Sequence, residues 1–562
     1  MTAPVFEAPG PGSWLLDDVH FSRPASRYLV SVFPLAMPVG FRAGTKHYGL
    51  LLDYIAIAFV GNFFYSQPRP VGAPPGAKGP PPKLIFQILT RLHPEMRRRV
   101  KRSAEVFEKK IWREDLAWWN DELKPQSLAH ARALQAVDLE GLTADALLAH
   151  LNACREFVLF AVTNHHRLNP CNMVPLGDFL SHAQAWTGLA TSDLLQLMQG
   201  ASPHSGGATT ELDALTTALR SDADALAVLR SDREAAEILD HLRADGGAVG
   251  DAARTYIDLI GYRIMSGYDV ADLYTLEAPG SLITVIRTAV DAEARASTDV
   301  DVSAKLAAAR DAVPEPHRAE FDELYTEARA TYHLRDEKIM CGDALATGLT
   351  RRALQAIGRL LAETGKLDDP THIFDATHEE IVGLLESGDG PPAAEFAERT
   401  GQRAAAEVAG APPLLGPPPS PPPPANWFPA KSRRMQEGMD TVLMHMFRHD
   451  DRPAEGKMLH GLSASPGSYE GTARVVTGPD DFQRVEPGDV LVAKTTAPAY
   501  NVLLPMLGAV VTARGGVLSH AAVVAREYGL PAVVGCGEAM TEIADGTRVR
   551  VDGDAGAVWI EA

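Results

Sequence analysis

Thr512-Ala513-Arg514-Gly515-Gly516-Val517-Leu518-Ser519-His520-Ala521-Ala522-Val523-Val524-Ala525-Arg526-Glu527 is the stretch from which the rest of the chain is read. The apolar run before it, Gly508 to Val511, reads as a buried strand. The glycine pair lets the backbone turn tightly and approach a ligand closely. Ser519 is a natural N-cap, and the residues from Ala521 onward are good helix formers, so His520 falls in the first helical turn. Unpaired N–H groups and the positive end of the helix dipole favour an anion at that position. A neutral imidazole there can attack a phosphoryl group, and the product is stabilised where it forms. A lone histidine at a helix start is more often a decoration of the turn; here the whole string, not the residue, carries the functional reading.

The string continues to Gly529-Leu530-Pro531-Ala532-Val533-Val534-Gly535. Taken together, the Thr, the Gly-Gly, Ser-His-Ala-Ala, Ala-Arg-Glu and Gly-x-Pro-Ala-Val-Val-Gly resemble the swivelling phosphohistidine domain of the PEP-utilising enzymes. That family includes pyruvate phosphate dikinase, PEP synthase, rifampicin phosphotransferase and phenylphosphate synthase. Gly461-Leu462-Ser463-Ala464-Ser465-Pro466-Gly467, Glu470-Gly471, Glu486-Pro487-Gly488-Asp489 and Thr496-x-Pro498 resemble the entry to the same domain, with Tyr500 as the nearest aromatic after that proline. Over residues 14–385 the resemblance is looser. Trp14, Asp17, His20-Phe21 and Arg23-Pro24 resemble the opening of the acceptor region of rifampicin-phosphotransferase-like proteins. Gly261-Tyr262-Arg263 stands where many relatives have Gly-His-Arg.

The expected fold class is multi-domain: a mostly α-helical acceptor domain followed by a compact α/β swivelling phosphohistidine domain. Residues 1–408 are expected to form the acceptor domain, loop-rich over 1–90 with one buried helix from about Gly49 to Val60. Thr143 reads as an N-cap, and Leu147, Leu151, Cys154, Val158, Ala161 and His165 recur at helical spacing. Further amphipathic stretches fall near 176–199, 210–243, 249–266, 281–310, 315–347 and 350–364. Residues 409–456 read as a Pro-rich linker with a short helix over Lys431 to Phe447. Its eight residues from Pro417 to Pro424 span roughly 25 Å in polyproline II at about 3.1 Å each. Residues 457–562 change period. Strands are expected at Ala473–Val476, Val490–Ala493, Ala509–Thr512, Ala532–Val534, Arg548–Val551 and Ala557–Ile560, with helices near 499–507 and 520–528.

Composition sets outer bounds. The apolar share of 46% and charged share of 22% suit a globular protein of more than one domain. The net charge, 53 − 72 = −19, argues against a nucleic-acid or anionic-membrane partner; the basic run Arg97 to Arg102 reads as a solvated helix face. Cys154, Cys171, Cys341 and Cys536 form no disulfide framework and imply a reducing, cytoplasmic setting. Met1 to Gly12 has no signal-peptide pattern, and Leu50 to Phe64 is too short and polar to span a bilayer.

The resemblance implies that His520 is phosphorylated and discharged, with Thr512, Gly515, Gly516, Ser519 and Arg526 forming the phosphohistidine loop. The Gly515 and Gly516 amides are expected to hold phosphoryl oxygens, and Thr512 or Ser519 to hydrogen-bond the imidazole or the phosphate. Arg526 reads either as a phosphate ligand or as a surface ion pair. Acceptor-site candidates are His165, His166, Arg263, Glu277 and His20; the bland alternatives are satisfied core histidines and an Arg263–Glu277 pair. No metal set is read. No Gly-x-x-x-x-Gly-Lys-Ser/Thr loop and no ATP-grasp pattern occurs in the sequence, and none of it resembles the TIM barrel of the pyruvate-forming relatives. ATP and Mg²⁺ are therefore expected on a separate ATP-grasp subunit, as in phenylphosphate-synthase-type enzymes, with a small phenolic hydroxyl compound as acceptor. Two other readings stand beside this one: an antibiotic-modifying phosphotransferase of rifampicin type with its ATP domain in trans, and a phosphocarrier or regulator that turns nothing over.

Overall fold

The computed structural model describes residues 6–18, 20, 21, 23–74, 76–202, 210–265, 267–291, 302–447, 450, 452–497, 500, 501 and 503–561. The chain divides into two compact units. The first comprises Met1–Val174, Gly267–Asp272 and Lys338–Glu437; the second comprises Pro175–Ser266, Leu273–Glu337 and Gly438–Ala562. This division differs from the expected boundary at residue 408. The helices between 175 and 337 group with the last hundred residues, and the apolar core gives the reason. Met265 is buried in one cluster with Val476, Leu491, Val510, Ala522 and Val534.

In the first unit the helix Ala144–Thr187 begins as expected, with Thr143 Oγ1 accepting from the Ala146 N–H at 3.3 Å. Leu147, Leu151, Cys154, Val158 and Ala161 are buried along it. By length and composition this helix is apolar enough to cross a membrane, but half of its most apolar window is buried inside the protein. A four-stranded sheet, β1 (Trp14–Leu16), β2 (Leu52–Val60), β3 (Phe63–Pro70) and β4 (Leu414–Leu415), has the order β2-β3-β1-β4. The helix expected over Gly49 to Val60 is therefore corrected to strand β2. The β-branched and aromatic residues Tyr54, Ile55, Ile57, Phe59 and Val60 suit a pleated surface. Gly61 and Asn62, both at positive φ, form the two-residue turn that returns the chain as β3.

The basic run at Arg97 to Arg102 lies on the helix Pro94–Lys109. It is not simply solvated: Arg98, Arg99, Lys101 and Arg102 line a cavity of about 590 Å³ together with Lys46 and Arg167. Arg99 is buried and already committed, donating to Leu50 O, Leu52 O, Asp53 and Glu95. All four cysteines are free and buried. Burial pushes the Cys154 and Cys536 thiols up to about 12, so both stay protonated and inert.

The second unit holds an eight-stranded sheet. Its strands are β5 (Met458–His460), β6 (Leu462–Ser465), β7 (Ser468–Val476), β8 (Val490–Ala493), β9 (Ala509–Thr512), β10 (Ala532–Val534), β11 (Arg548–Asp552) and β12 (Ala557–Ile560). They are ordered β5-β12-β11-β7-β8-β9-β10-β6. The run β7-β8-β9-β10 is parallel, and Val490, Leu491, Val492, Val510 and Val511 are fully buried, as parallel strands covered on both faces require. The six expected strands are present, with β7 longer than read. β5 and β6 are additional, and the segment expected as a helix near 499–507 contains a 3₁₀ turn at Leu504–Met506, with residues 499 and 502 outside the described set.

Candidate active site

Strand β9 ends at Thr512, and the chain turns through Gly515, at φ +99°, into the helix His520–Tyr528. Ser519 caps that helix from an extended conformation, its Oγ accepting from the Ala522 N–H at 3.4 Å. Strand, turn and cap set His520 at the head of the helix. Its Nδ1 is hydrogen-bonded to Thr496 Oγ1 at 2.9 Å, and Thr496 is buried. Its Nε2 is covered by protein and has no hydrogen-bond partner. Burial first, and the positive charge of Arg335 second, hold the imidazole down to about 3, so the ring is neutral at physiological pH. When the ring donates Nδ1–H to Thr496 Oγ1, its lone pair lies on Nε2.

Thr496, within the Thr496-x-Pro498 motif, is the side chain that pairs with the His520 ring, a contact that no local sequence signal announces. Thr512 and Ser519 engage elsewhere. Thr512 Oγ1 donates to Arg514 O at 3.0 Å, and Ser519 is the helix cap. Thr496→Val is expected to slow phosphoryl uptake on His520 roughly 5–10-fold, the worth of one hydrogen bond of about 1 kcal/mol. Timed labelling followed by mass spectrometry of the His520 peptide measures it.

The other loop residues are placed as follows. Arg526 is buried, and its Nη1 donates to Ala464 O at 2.9 Å and Val517 O at 3.0 Å. It thus ties the loop to β6 and is not the surface ion pair considered from sequence. The Gly516 N–H donates to Met446 O at 3.0 Å, and the Leu518 N–H to His445 O at 3.3 Å. The last turn of the helix Ala430–Phe447 therefore occupies an amide that was expected to hold phosphoryl oxygens.

The depressed imidazole carries a stability consequence. In the unfolded chain the ring binds a proton below its usual 6.5, whereas in the native state it does so only near 3. Native stability is fully present above that usual value and is lost as pH falls toward 3. Melting temperature is expected to drop between about pH 7.5 and about pH 5, and His520→Gln to remove part of the drop. An unchanged pH profile in that variant would contradict a buried neutral ring.

The acceptor-site candidates fall in both units. Arg263 and Glu277 lie in the second. Arg263 is buried, its carbonyl accepting from the Thr275 N–H at 3.0 Å, while the Glu277 carboxylate accepts from the Tyr274 N–H at 3.1 Å in a capping box. His20, His165 and His166 lie in the first. His165 and His166 stack with centroids 4.6 Å apart, and the charge of His20 reaches His165. Among the described residues no three His, Cys, Asp or Glu side chains converge as a metal set.

In comparison with known proteins, residues 485–556 match the family model of the PEP-utilising enzyme mobile domain, and residues 175–336 match that of the rifampicin phosphotransferase fourth domain. The chain is 31% identical over 246 residues to a protein of Bacillus subtilis named uncharacterized phosphotransferase YvkC, covering 43% of this chain and 27% of that one. It is 43% identical over 119 residues to the rifampicin phosphotransferase of Streptomyces sviceus, covering 21% and 13%. It is 46% identical over 110 residues to the phosphoenolpyruvate synthase of Aeropyrum pernix, covering 19% and 13%. The chain thus spans about a quarter of the length of the first of these relatives and about an eighth of the other two.

Proposed function

We propose that this chain is the acceptor and phosphohistidine component of an ATP-dependent, dikinase-type phosphotransferase. His520 Nε2 takes a phosphoryl group from ATP held, with Mg²⁺, on an ATP-grasp subunit, and passes it to the hydroxyl of a small phenolic compound. The net reaction is ATP, acceptor hydroxyl and water giving AMP, phosphate and acceptor phosphate. The observation that carries the reading is the state of His520. It is a neutral ring at a helix N-terminus, Nδ1 held by Thr496 and Nε2 buried without a partner. An unpaired buried nitrogen costs stability, and a phosphoryl-accepting nitrogen must be left unpaired. Phosphoryl transfer asks the protein mainly for position and charge, which a dipole-supported imidazole provides. The reaction needs no metal set on the chain itself; Mg²⁺ supplies charge neutralisation on the nucleotide. The cytoplasm, where ATP is available, is the proposed location.

A second reading is favoured by a specific observation. The assignment of residues 175–336 supports an antibiotic hydroxyl as acceptor in place of a simple phenol. The experiment separates the two. The chain is mixed with an ATP-grasp polypeptide of its own organism, Mg²⁺ and ATP labelled at the β-phosphate, and acid-labile label is sought on His520. The label is then chased with phenol or with rifampicin. Phenyl phosphate supports the first reading and phosphorylated rifampicin the second. Label bound elsewhere than His520, or turnover of ATP by the chain alone, overturns both.

A further inference from the structure

The first unit contains a buried polar cluster that no assigned role explains. On the helix Ala144–Thr187, His165 Nδ1 is hydrogen-bonded to Asp343 Oδ2. Asp343 closes a π-helical turn, Ile339–Asp343, and such one-residue insertions re-aim side chains, often at functional sites. The other carboxylate oxygen, Asp343 Oδ1, is buried with no hydrogen-bond partner. Lys338, itself buried, donates to Asn169 Oδ1 at 2.8 Å, Asn172 Oδ1 at 3.2 Å and His165 O at 3.4 Å. His166 packs against His165 and donates from Nδ1 to Val162 O at 2.8 Å. A cluster with an acid, a cation and two histidines is an expensive way to fill a core, because each desolvated charge must be compensated. Its opening to solvent is also selective: the His165 side chain keeps 15% of its surface exposed while Asp343 keeps 5%.

That arrangement is the one that makes an imidazole a base. A carboxylate holding Nδ1–H fixes the tautomer with the lone pair on Nε2 and stabilises the imidazolium formed when Nε2 takes a proton. The same neighbourhood is aromatic. Phe41 lies 4.8 Å from His166, Tyr268 lies 6.2 Å from His20, and Phe21 packs on Phe64 and Tyr268 at 4.9 and 6.0 Å. Phe41 remains half-buried beside His166.

We propose that His165, positioned by Asp343, is the general base that takes the proton from the hydroxyl of an aromatic acceptor. This rests on the phosphotransfer reading above and assigns it the base that reading lacks. As the acceptor oxygen forms its bond to phosphorus, its proton moves to His165 Nε2. The bond between phosphorus and the nitrogen that delivered it breaks, and its electron pair stays on that nitrogen. The imidazolium of His165 is held by the Asp343 carboxylate and then releases its proton to water. His165 is the catalytic residue, and Asp343 is a positioning residue.

Burial raises Asp343 to about 7, and the charges of His166 and Lys338 oppose that rise. Burial holds His165 well below its usual value, with the charges of Lys338 and His20 adding to the effect. The pair therefore gains its carboxylate, and with it a fixed Nδ1–H, as pH rises through about 7, and discharge should accelerate across that range.

The test uses the full chain and two conservative variants, His165→Gln and Asp343→Asn. Nitrogen-15 NMR of histidine-labelled protein reads the tautomer directly. Nδ1–H at His165 is expected in the wild type above about pH 7 and is lost in Asp343→Asn; an Nε2–H tautomer in the wild type overturns the proposal. His520 is then phosphorylated chemically with phosphoramidate, and phenyl phosphate is followed after adding phenol, with His520→Gln as background. Both variants should keep phosphoryl on His520 and discharge it about 10²–10⁴-fold more slowly. Asp343→Asn should also lose the acceleration through about pH 7. Discharge at the wild-type rate in both variants overturns the base assignment while leaving His520 intact. Absence of phenyl phosphate from wild-type protein overturns the phenolic reading instead, and the tautomer alone then decides the dyad.

Discussion

Phosphoryl uptake from ATP is expected to vanish, not merely to weaken, when His520 is replaced by glutamine. Removal of a covalent nucleophile costs on the order of 10⁴-fold or more, because no neighbouring atom can take over the bond that must form. Glutamine fills similar space, and its amide can still meet Thr496 Oγ1, so the helix start and its Ser519 cap should survive. What is lost is a nitrogen lone pair. An amide nitrogen delocalises its pair into the carbonyl and does not attack phosphorus. The measurement is acid-labile, base-stable label on the protein, with the labelled peptide mapped by mass spectrometry. The chain has 18 histidines, so mapping is what gives the result its meaning. Label undiminished in His520→Gln would move the phosphoryl site to another residue. Circular dichroism and melting of the variant at about pH 7.5 should match the wild type, which separates lost chemistry from lost fold.

The site and its supports were unequally legible, for a physical reason. Strand β9, the turn at Gly515, the Ser519 cap and His520 are contiguous, so their geometry is written in local propensities within about a dozen residues. The parallel strands β8, β9 and β10 were legible because continuous valine-rich runs need burial on both faces. β5 and β6 are short and flank Gly461. They exist because β12 and β10 pair with them, and that information lies up to a hundred residues downstream. The apolar run from Gly49 to Val60 fits a helix on hydrophobicity alone; the Gly61-Asn62 turn behind it is the feature that marks a hairpin strand. Thr496 and His520 are 24 residues apart, and His165 and Asp343 are 178 apart. No periodicity links such pairs; only the folded backbone does. The unit boundary was hidden for the same reason: nothing local to Met265 announces that it is buried among residues of strands β6 to β10 and the helix His520–Tyr528.

A single methyl group at Gly516 is expected to expel the end of the helix Ala430–Phe447 from the loop that precedes His520. A Cβ built there would lie 2.1 Å from His445 O and 3.0 Å from Met446 O. Both are backbone atoms in the last turn of the helix Ala430–Phe447, so neither can swing aside as a side chain would. His445 is further pinned through its ring, Nε2 lying 3.0 Å from Thr191 Oγ1. Gly516→Ala should therefore break the Gly516–Met446 and Leu518–His445 hydrogen bonds together. At about 1 kcal/mol each, plus displaced packing, the docking of that turn weakens by about 2–3 kcal/mol, or roughly 30–150-fold in its opening equilibrium. Hydrogen exchange over residues 438–446 reads this directly. Gly537→Ala is the control, because its Cβ would meet only Arg514 Nη1 at 3.8 Å, and exchange there should not change. The contact also bears on function. Helix C-terminal carbonyls carry partial negative charge, so they suit a loop next to a neutral His520 and oppose one next to a phosphoryl anion. Phosphorylation of wild-type His520 should then loosen residues 438–446 in the same direction as the alanine substitution. Unaltered protection in Gly516→Ala would mean that this helix end does not rest on the loop in solution.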